Sequence, residues 1–102
     1  MKKMMSLMVF VVALGLSSVA YAQSGIHITI AGSENNGTDA YIGIAENPNR
    51  CAYGGVYFYD SAVSKALAVA LTAKVTGKTV QIDYSQPGGA GTKCVGISIY
   101  LE

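Results

Sequence analysis

The chain of 102 residues has no tryptophan, a single histidine, two cysteines and no methionine beyond Met8, and only 13% of its residues are charged. Seven basic and six acidic side chains leave no excess of positive charge of the kind that binds nucleic-acid phosphates. One histidine and two cysteines outside a CxxC spacing do not form a zinc-ligand set. The length allows one domain and excludes a TIM barrel or a doubly wound nucleotide-binding fold.

Motifs of common enzymes are missing as well. The sequence contains neither GxSxG nor HExxH, and its six acidic residues are scattered. His27, on the polar phase of its strand, has no nucleophile or carboxylate linked to it by sequence. We therefore expect a protein that is not an enzyme and that uses no cofactor and no metal.

The first 22 residues predict a cleavable signal peptide. Lys2 and Lys3 precede the apolar run of residues 7–16, and an A-x-A site ends at Ala22, so the mature chain begins at Gln23. The alternative is a membrane anchor, but the apolar run is short for about 30 Å of hydrocarbon. We expect a secreted or periplasmic protein that does not insert into a membrane.

Cys51 and Cys94 are predicted to form one disulfide, because they are the only cysteines of a small exported chain. A catalytic thiol or a metal pair are the alternatives. Alternating apolar residues predict five strands, at residues 26–30, 40–45, 55–59, 78–85 and 94–101. The residues predicted to face the core are Ile26, Ile28, Ile30, Ile42, Ile44, Val56, Phe58, Val80, Ile82, Tyr84, Val95, Ile97, Ile99 and Leu101.

A helix is predicted over residues 62–75, with Asp60 or Ser61 as its N-cap and Gly77 at its end. Its core stripe is Val63, Ala66, Leu67, Ala70 and Leu71. The mainly β order with one helix, β-β-β-α-β-β, is that of an OB-fold, a five-stranded partly open barrel, which we expect for residues 23–102 as a single domain. Another small α+β sandwich with the same order is the alternative.

The tyrosines and the first loop suggest a binding surface. Tyrosine combines an apolar ring with a hydroxyl, which suits the faces and hydroxyls of sugars, and OB-folds bind oligosaccharides on their second and third strands. The alternative is that these tyrosines only cover the strands and that the loops are ordinary polar turns. The candidate glycan-binding residues are Ser33, Asn35, Asn36, Tyr41, Tyr57 and Tyr59.

The predicted helix is apolar around most of its circumference, which favours a contact with a second subunit. Alanine is also a strong helix former that tolerates exposure, so a free helix surface is the alternative. The candidate interface residues are Ala66, Val69 and Ala73.

The run from Ala66 to Ile82, together with the spacing of Cys51 and Cys94, resembles the family of subtilase cytotoxin B subunits, over about residues 50–101. The resemblance implies an OB-fold, a homopentamer, binding of cell-surface glycans and an exported catalytic subunit as a possible partner. The chain is shorter than the toxin subunits and has fewer cysteines, and no position matches their sugar-contacting residues. The alternative function is a small periplasmic protein that binds or inhibits another protein without sugar.

Overall fold

A computed structural model describes residues 19–102. These residues form six strands and one helix, so the chain is mainly β, as predicted. Residues 1–18 of the predicted signal peptide lie outside the described residues, and Val19 to Ala22 belong to the first strand. The elements are β1 (Val19–Ile26), β2 (Ile28–Glu34), β3 (Asp39–Ile44), β4 (Gly55–Tyr59), α1 (Val63–Thr76), β5 (Val80–Gln86) and β6 (Cys94–Leu101).

All six strands belong to one sheet, in the order β1-β5-β6-β4-β3-β2. Four of its five pairings are antiparallel. The exception is the parallel pairing of β4 with β6, which aligns Val56 with Cys94 and Tyr57 with Val95. Since β1 and β2 are the outer strands, no pairing between them closes the described sheet into a barrel.

The predicted first strand, residues 26–30, is divided between β1 and β2, which meet at His27. This division makes six strands where the sequence predicts five. Ile26 and Ile28 are buried as expected, but Ile30 is 54% exposed. The reason is an irregularity at Thr29: Ile28 pairs with Ile44 and Ile30 with the next residue, Gly43, so the strand changes face.

A second bulge reverses part of β6. Asp83 pairs with Ser98 and Tyr84 with Gly96, which leaves Ile97 without a partner across β5. The bulge makes the prediction that Val95 and Ile97 face the core wrong, since Ile97 is 58% exposed and Val95 is only half-buried. The same prediction is wrong for Leu101, which is 43% exposed at the last position of the strand although it shares the phase of Ile99. Ile99 is buried as predicted.

Helix α1 packs mainly on β2, β3 and β6 and starts one residue later than predicted. A 3-10 turn over Asp60–Ala62 precedes it, Ala62 is the N-cap, and no side chain caps the helix, so the prediction of Asp60 or Ser61 as cap is wrong. Gly77 ends it with a left-handed φ of 73°, as expected. Among residues 19–102, no helix is long and apolar enough to cross a membrane.

The buried face of α1 is formed by small residues. Val63, Ala66, Ala70 and Ala73 are buried against the chain's own sheet, whereas Leu71, expected in this stripe, is 47% exposed. Alanine at these positions lets the helix backbone approach the strands closely. Since Ala66 and Ala73 are fully buried within the chain, they are not available for contact with a second subunit, and Val69 is half-buried.

A substitution of Gly96 tests how closely β4 and β6 pack. A Cβ atom at this position would overlap the buried ring of Phe58. We expect Gly96→Ala to lower the free energy of unfolding by about 1–3 kcal/mol, the usual cost of overpacking. Gly32→Ala is the matched control, since a Cβ there meets nothing within 4 Å. Urea denaturation of both variants measures the difference, and equal stability of the two would contradict this packing.

The junction of β1 and β2 depends on Glu46. Its carboxylate accepts hydrogen bonds from the backbone N–H of His27 at 2.6 Å and from His27 Nδ1 at 2.7 Å. The backbone bond, followed by the side-chain bond, lowers the pKa of Glu46 from its ordinary value of 4.5. A carboxyl whose pKa falls on folding stabilises the fold above its unfolded pKa and loses that contribution as pH decreases through the folded pKa.

We therefore expect Glu46→Gln to be less stable than the unsubstituted protein at neutral pH, with the difference disappearing as the pH falls below about 4.5 and through the lowered pKa. Denaturation midpoints across this pH range measure it. Asp60→Asn, at an exposed position, is the control for loss of a negative charge. A difference between Glu46→Gln and the unsubstituted protein that persists unchanged in acid would contradict a role for the ionised carboxylate.

Candidate functional site: a tyrosine face beside the disulfide

The outer surface of β3 and β4 carries a cluster of tyrosines. Side chains alternate along a strand, so the burial of Ala40, Ile42, Val56 and Phe58 directs Tyr41, Tyr57 and Tyr59 outward, as predicted. The register places Tyr41 directly opposite Tyr57. Tyr53, from the 3-10 turn that precedes β4, joins them. We call Tyr41, Tyr53, Tyr57 and Tyr59 the tyrosine face.

Tyr57 is the centre of this face. Its ring centroid lies 5.2 Å from that of Tyr41, 6.2 Å from that of Tyr53 and 6.4 Å from that of Tyr59. The planes of Tyr57 and Tyr59 are only 15° apart, whereas Tyr53 meets Tyr57 edge-on at 86°. These are favourable spacings for aromatic pairs, and they create a continuous surface of rings and hydroxyls.

Gly55 makes room for Tyr41. A Cβ atom on Gly55 would lie 2.7 Å from Cε1 of Tyr41, so only glycine lets this ring lie across the start of β4. The hydroxyl of Tyr41 donates a hydrogen bond to the backbone oxygen of Tyr53. The Tyr41 side chain is thus held by the packing of its ring over Gly55 and by the hydrogen bond of its hydroxyl. The Tyr53 ring, in contrast, is 75% exposed and free to contact a ligand.

Lys93 is the basic group of this site. Its ammonium nitrogen lies 4.3 Å from the ring centroid of Tyr57 and 5.1 Å from that of Tyr59, which is a cation–π arrangement. Hydrogen bonding to Tyr59 raises the pKa of Lys93, and the charge of Asp39 adds to this effect. Burial raises the pKa of Tyr57, with the Glu34 carboxylate as the next cause, so Tyr57 is a neutral hydroxyl at physiological pH.

Asp39 and the first hairpin turn form a polar rim. Asn35 donates from Nδ2 to Asp39 Oδ2 at 2.6 Å, and the Thr38 hydroxyl donates to Asp39 Oδ1 at 3.2 Å. Asp39 pairs with Tyr59 in the register, so this rim adjoins one end of the tyrosine face. The site therefore combines apolar rings with one cation and a set of hydrogen-bonding groups.

The structure brings most of the predicted glycan-binding residues together, but not all. Asn35 belongs to the rim through its hydrogen bond to Asp39. Ser33 pairs with the buried Ala40 and therefore lies on the opposite face of the sheet from the tyrosine face. Asn36 forms the exposed tip of the turn, with a left-handed φ of 59°. In residues 19–102, no group of three or more histidine, cysteine or acidic residues is placed to hold a metal ion.

Sequence reasoning missed Tyr53 and Lys93. Each lies close to a cysteine in the chain: Tyr53 is two residues after Cys51, and Lys93 directly precedes Cys94. The predicted disulfide between these cysteines is present, with the two Cα atoms 5.3 Å apart. A signal was therefore available, since a bridge between Cys51 and Cys94 necessarily brings the neighbours of both cysteines to one place.

Hydrogen bonds between the two loops reinforce the disulfide. The Ala52 N–H donates to the Thr92 oxygen at 3.0 Å. The fully buried Gln86 donates from Nε2 to the backbone oxygens of Asn49 and Thr92, each at 3.0 Å. Asn49 in turn donates from Nδ2 to the hydroxyl of Tyr84 at 2.9 Å. These bonds fix the backbone that carries Tyr53 and Lys93.

The disulfide closes a loop between residues 43 positions apart. On the chain-entropy model, its loss in a Cys51→Ala/Cys94→Ala variant lowers the free energy of unfolding by about 4 kcal/mol. We expect that decrease in urea denaturation of the double variant. The reduced, unsubstituted protein is the control and should be destabilised to a similar degree. Unfolding that is insensitive to both treatments would contradict the structural role of the bridge.

Comparison of the chain with protein-family models, with curated proteins and with solved structures finds no match.

Proposed function

We propose that this chain is a non-catalytic carbohydrate-binding protein and that the tyrosine face is its binding surface. The observation that carries the proposal is the gathering of four tyrosine rings around Tyr57, with the Asp39 rim at one end. Such a surface offers flat apolar area and hydrogen-bonding groups side by side, and a ligand that uses both is a sugar, whose ring faces are apolar and whose edges carry hydroxyls.

The described geometry supports a shallow site. Tyr53 is 75% exposed, while Tyr57 and Tyr59 are half-buried and keep part of their rings accessible. Stacking on two or three such rings supplies area at a low cost in side-chain entropy, because a tyrosine has only two rotatable side-chain bonds. Asn35 and Asp39 would exchange hydrogen bonds with hydroxyls at the sugar edge, Asn35 as donor and Asp39 as acceptor.

The finer architecture belongs to the same proposal. Strands β1 and β2 lie at opposite edges of the sheet but adjoin in the chain at His27. Taken as one bent strand that pairs with β5 through its first half and with β3 through its second, they would make five strands in a partly open OB-fold barrel. In that fold the second and third strands, here β3 and β4, form the usual ligand surface.

The setting we propose is outside the cytoplasm. Disulfides form and persist in oxidising compartments, and residues 1–22 have the pattern of a secretory signal. Together with the resemblance to toxin B subunits, this favours glycans displayed on a cell surface as ligands and an exported catalytic subunit as a possible partner. The binding function itself does not require that partner.

Tyr57→Ala should abolish binding to whichever glycans the protein selects from an array, since it removes the ring that touches all three others. Tyr100→Ala is the matched control, because Tyr100 is another exposed tyrosine and lies on β6. We expect Tyr100→Ala to bind as the unsubstituted protein does. Equal loss in both variants, or no glycan binding by folded and disulfide-bonded protein, would contradict the proposal.

Self-association is a second candidate property, favoured by the outer side of α1. Leu71 and Val75 lie one helical turn apart and are 47% and 83% exposed. A homo-oligomer, such as the pentamer implied by the resemblance, would cover these side chains, and so would a different protein in the alternative function without sugar.

Light scattering after gel filtration measures this property directly. We expect the protein to elute as a homo-oligomer and Val75→Glu to shift it to the monomer, because a buried carboxylate without a partner is costly. Thr72→Glu, at another exposed position of the helix, is the control for added charge. A monomer at all concentrations would exclude the oligomer and direct attention to another protein as the partner of α1.

A further inference from the structure

A positively charged side chain already lies beside the rings of Tyr57 and Tyr59 in this structure. The Lys93 ammonium lies over both rings, at 4.3 and 5.1 Å from their centroids. A positive group within about 6 Å of an aromatic face is attracted to it, and sites built from several such faces bind alkylammonium ligands. The chain thus contains an aromatic site for a cation and supplies that cation itself.

The groups around these rings have the charge that a cation prefers. Asp39 pairs with Tyr59 in the register, and its charge contributes to the raised pKa of Lys93. Glu34 pairs with Asp39, and the negative charge of its carboxylate contributes to the raised pKa of Tyr57. Without the Lys93 side chain, the charged groups identified around the rings would therefore both be anions.

Lys93 can leave the rings without unfolding its loop. Its backbone is held on one side by the disulfide at Cys94 and on the other by hydrogen bonds to the oxygen of Thr92. The side chain itself is exposed, and its attachment to the rings consists of the two cation–π contacts. A cation–π contact at an exposed site is weak enough to be exchanged for another.

We propose that the rings of Tyr57 and Tyr59, with the Asp39 carboxylate beside them, form a subsite for an organic ammonium group, and that Lys93 fills this subsite until a ligand displaces it. The ligand class is a small molecule or glycan substituent with a free amine or a quaternary ammonium group. An amino sugar and a choline group both supply this chemistry. The subsite goes beyond the proposed sugar binding, since stacking of a neutral sugar needs no cation.

The test uses choline as the probe and its uncharged isostere, with carbon in place of nitrogen, as the comparison. Calorimetric titrations are made with the exported, disulfide-bonded protein and with its Lys93→Ala variant, which empties the subsite. We expect Lys93→Ala to bind choline about two- to five-fold more tightly than the unsubstituted protein, the factor that corresponds to one exposed cation–π contact. The isostere should bind more weakly than choline to Lys93→Ala.

Two further variants separate the subsite from general surface effects. Lys65→Ala is the matched control, because Lys65 also lies over a tyrosine, but over the single ring of Tyr100 at 5.1 Å, and it should not change choline affinity. Tyr57→Leu combined with Lys93→Ala keeps an apolar side chain but removes the central ring, and it should lose choline. Circular dichroism and thiol titration establish that each variant is folded and disulfide-bonded.

The outcomes are distinct from those of the glycan experiment. Tighter choline binding by Lys93→Ala that depends on Tyr57 and on the ligand's charge supports the subsite, even if no neutral glycan binds. Equal binding of choline and its isostere, no gain in Lys93→Ala, or no choline binding by that folded variant would overturn it. A parallel titration with glucosamine, compared with glucose, shows whether an amino sugar uses the same subsite.

Discussion

The contact between β4 and β6 is the constraint on which the rest of this structure depends. It is the one parallel pairing of the described sheet, its register contains only two residue pairs, and the connection between its strands includes α1 and β5. The remaining pairings are antiparallel, and β2–β3, β3–β4 and β5–β6 join consecutive strands. The Cys51–Cys94 bridge lies at this contact, since Cys94 itself pairs with Val56. The disulfide thereby holds together, by a covalent bond, the short pairing of β4 with β6, which are distant in the sequence.

The same constraint creates the candidate site. Tyr57 lies in the parallel pair, Tyr53 follows one cysteine and Lys93 precedes the other. A ligand surface assembled in this way is rigid in its backbone and variable in its exposed side chains, which is the usual division of labour between a scaffold and a binding site. The fold and the site are therefore stabilised by one set of contacts rather than by two independent ones.

Much of this arrangement follows from the spacing of apolar residues, which repeat about every two residues in a strand and about every 3.6 residues in a helix. The alternation in residues 55–59 predicts β4 at its observed bounds and directs Tyr57 outward. The same reasoning fails at Ile30 and Ile97, because both lie at irregularities in strand pairing. A bulge depends on two strands at once, so one strand's sequence does not reveal it. The prediction from periodicity also fails at Leu71, because the small side chains that fit against the sheet determine which side of α1 faces inward.

The candidate site was predictable in part for a similar reason. Tyr41, Tyr57 and Tyr59 are found by alternation within strands, whereas Tyr53 and Lys93 lie in irregular segments, and only the tertiary contact brings them in. The sequence likewise predicts that α1 is apolar around most of its circumference, but the buried alanines show which of its apolar side chains, Leu71 and Val75, stay exposed. Local periodicity thus predicts which face of a strand is available, and the disulfide determines what is assembled beside it.

The tyrosine face is the proposed contact surface for ligands. Chemical-shift mapping tests it most directly, by titrating isotopically labelled, disulfide-bonded protein with a glycan selected on an array. We expect the perturbed signals to belong to the tyrosine face and Lys93, with smaller changes at Asn35 and Asp39. Perturbations confined to α1 or to the exposed residues of β6, with an unchanged tyrosine face, would contradict it.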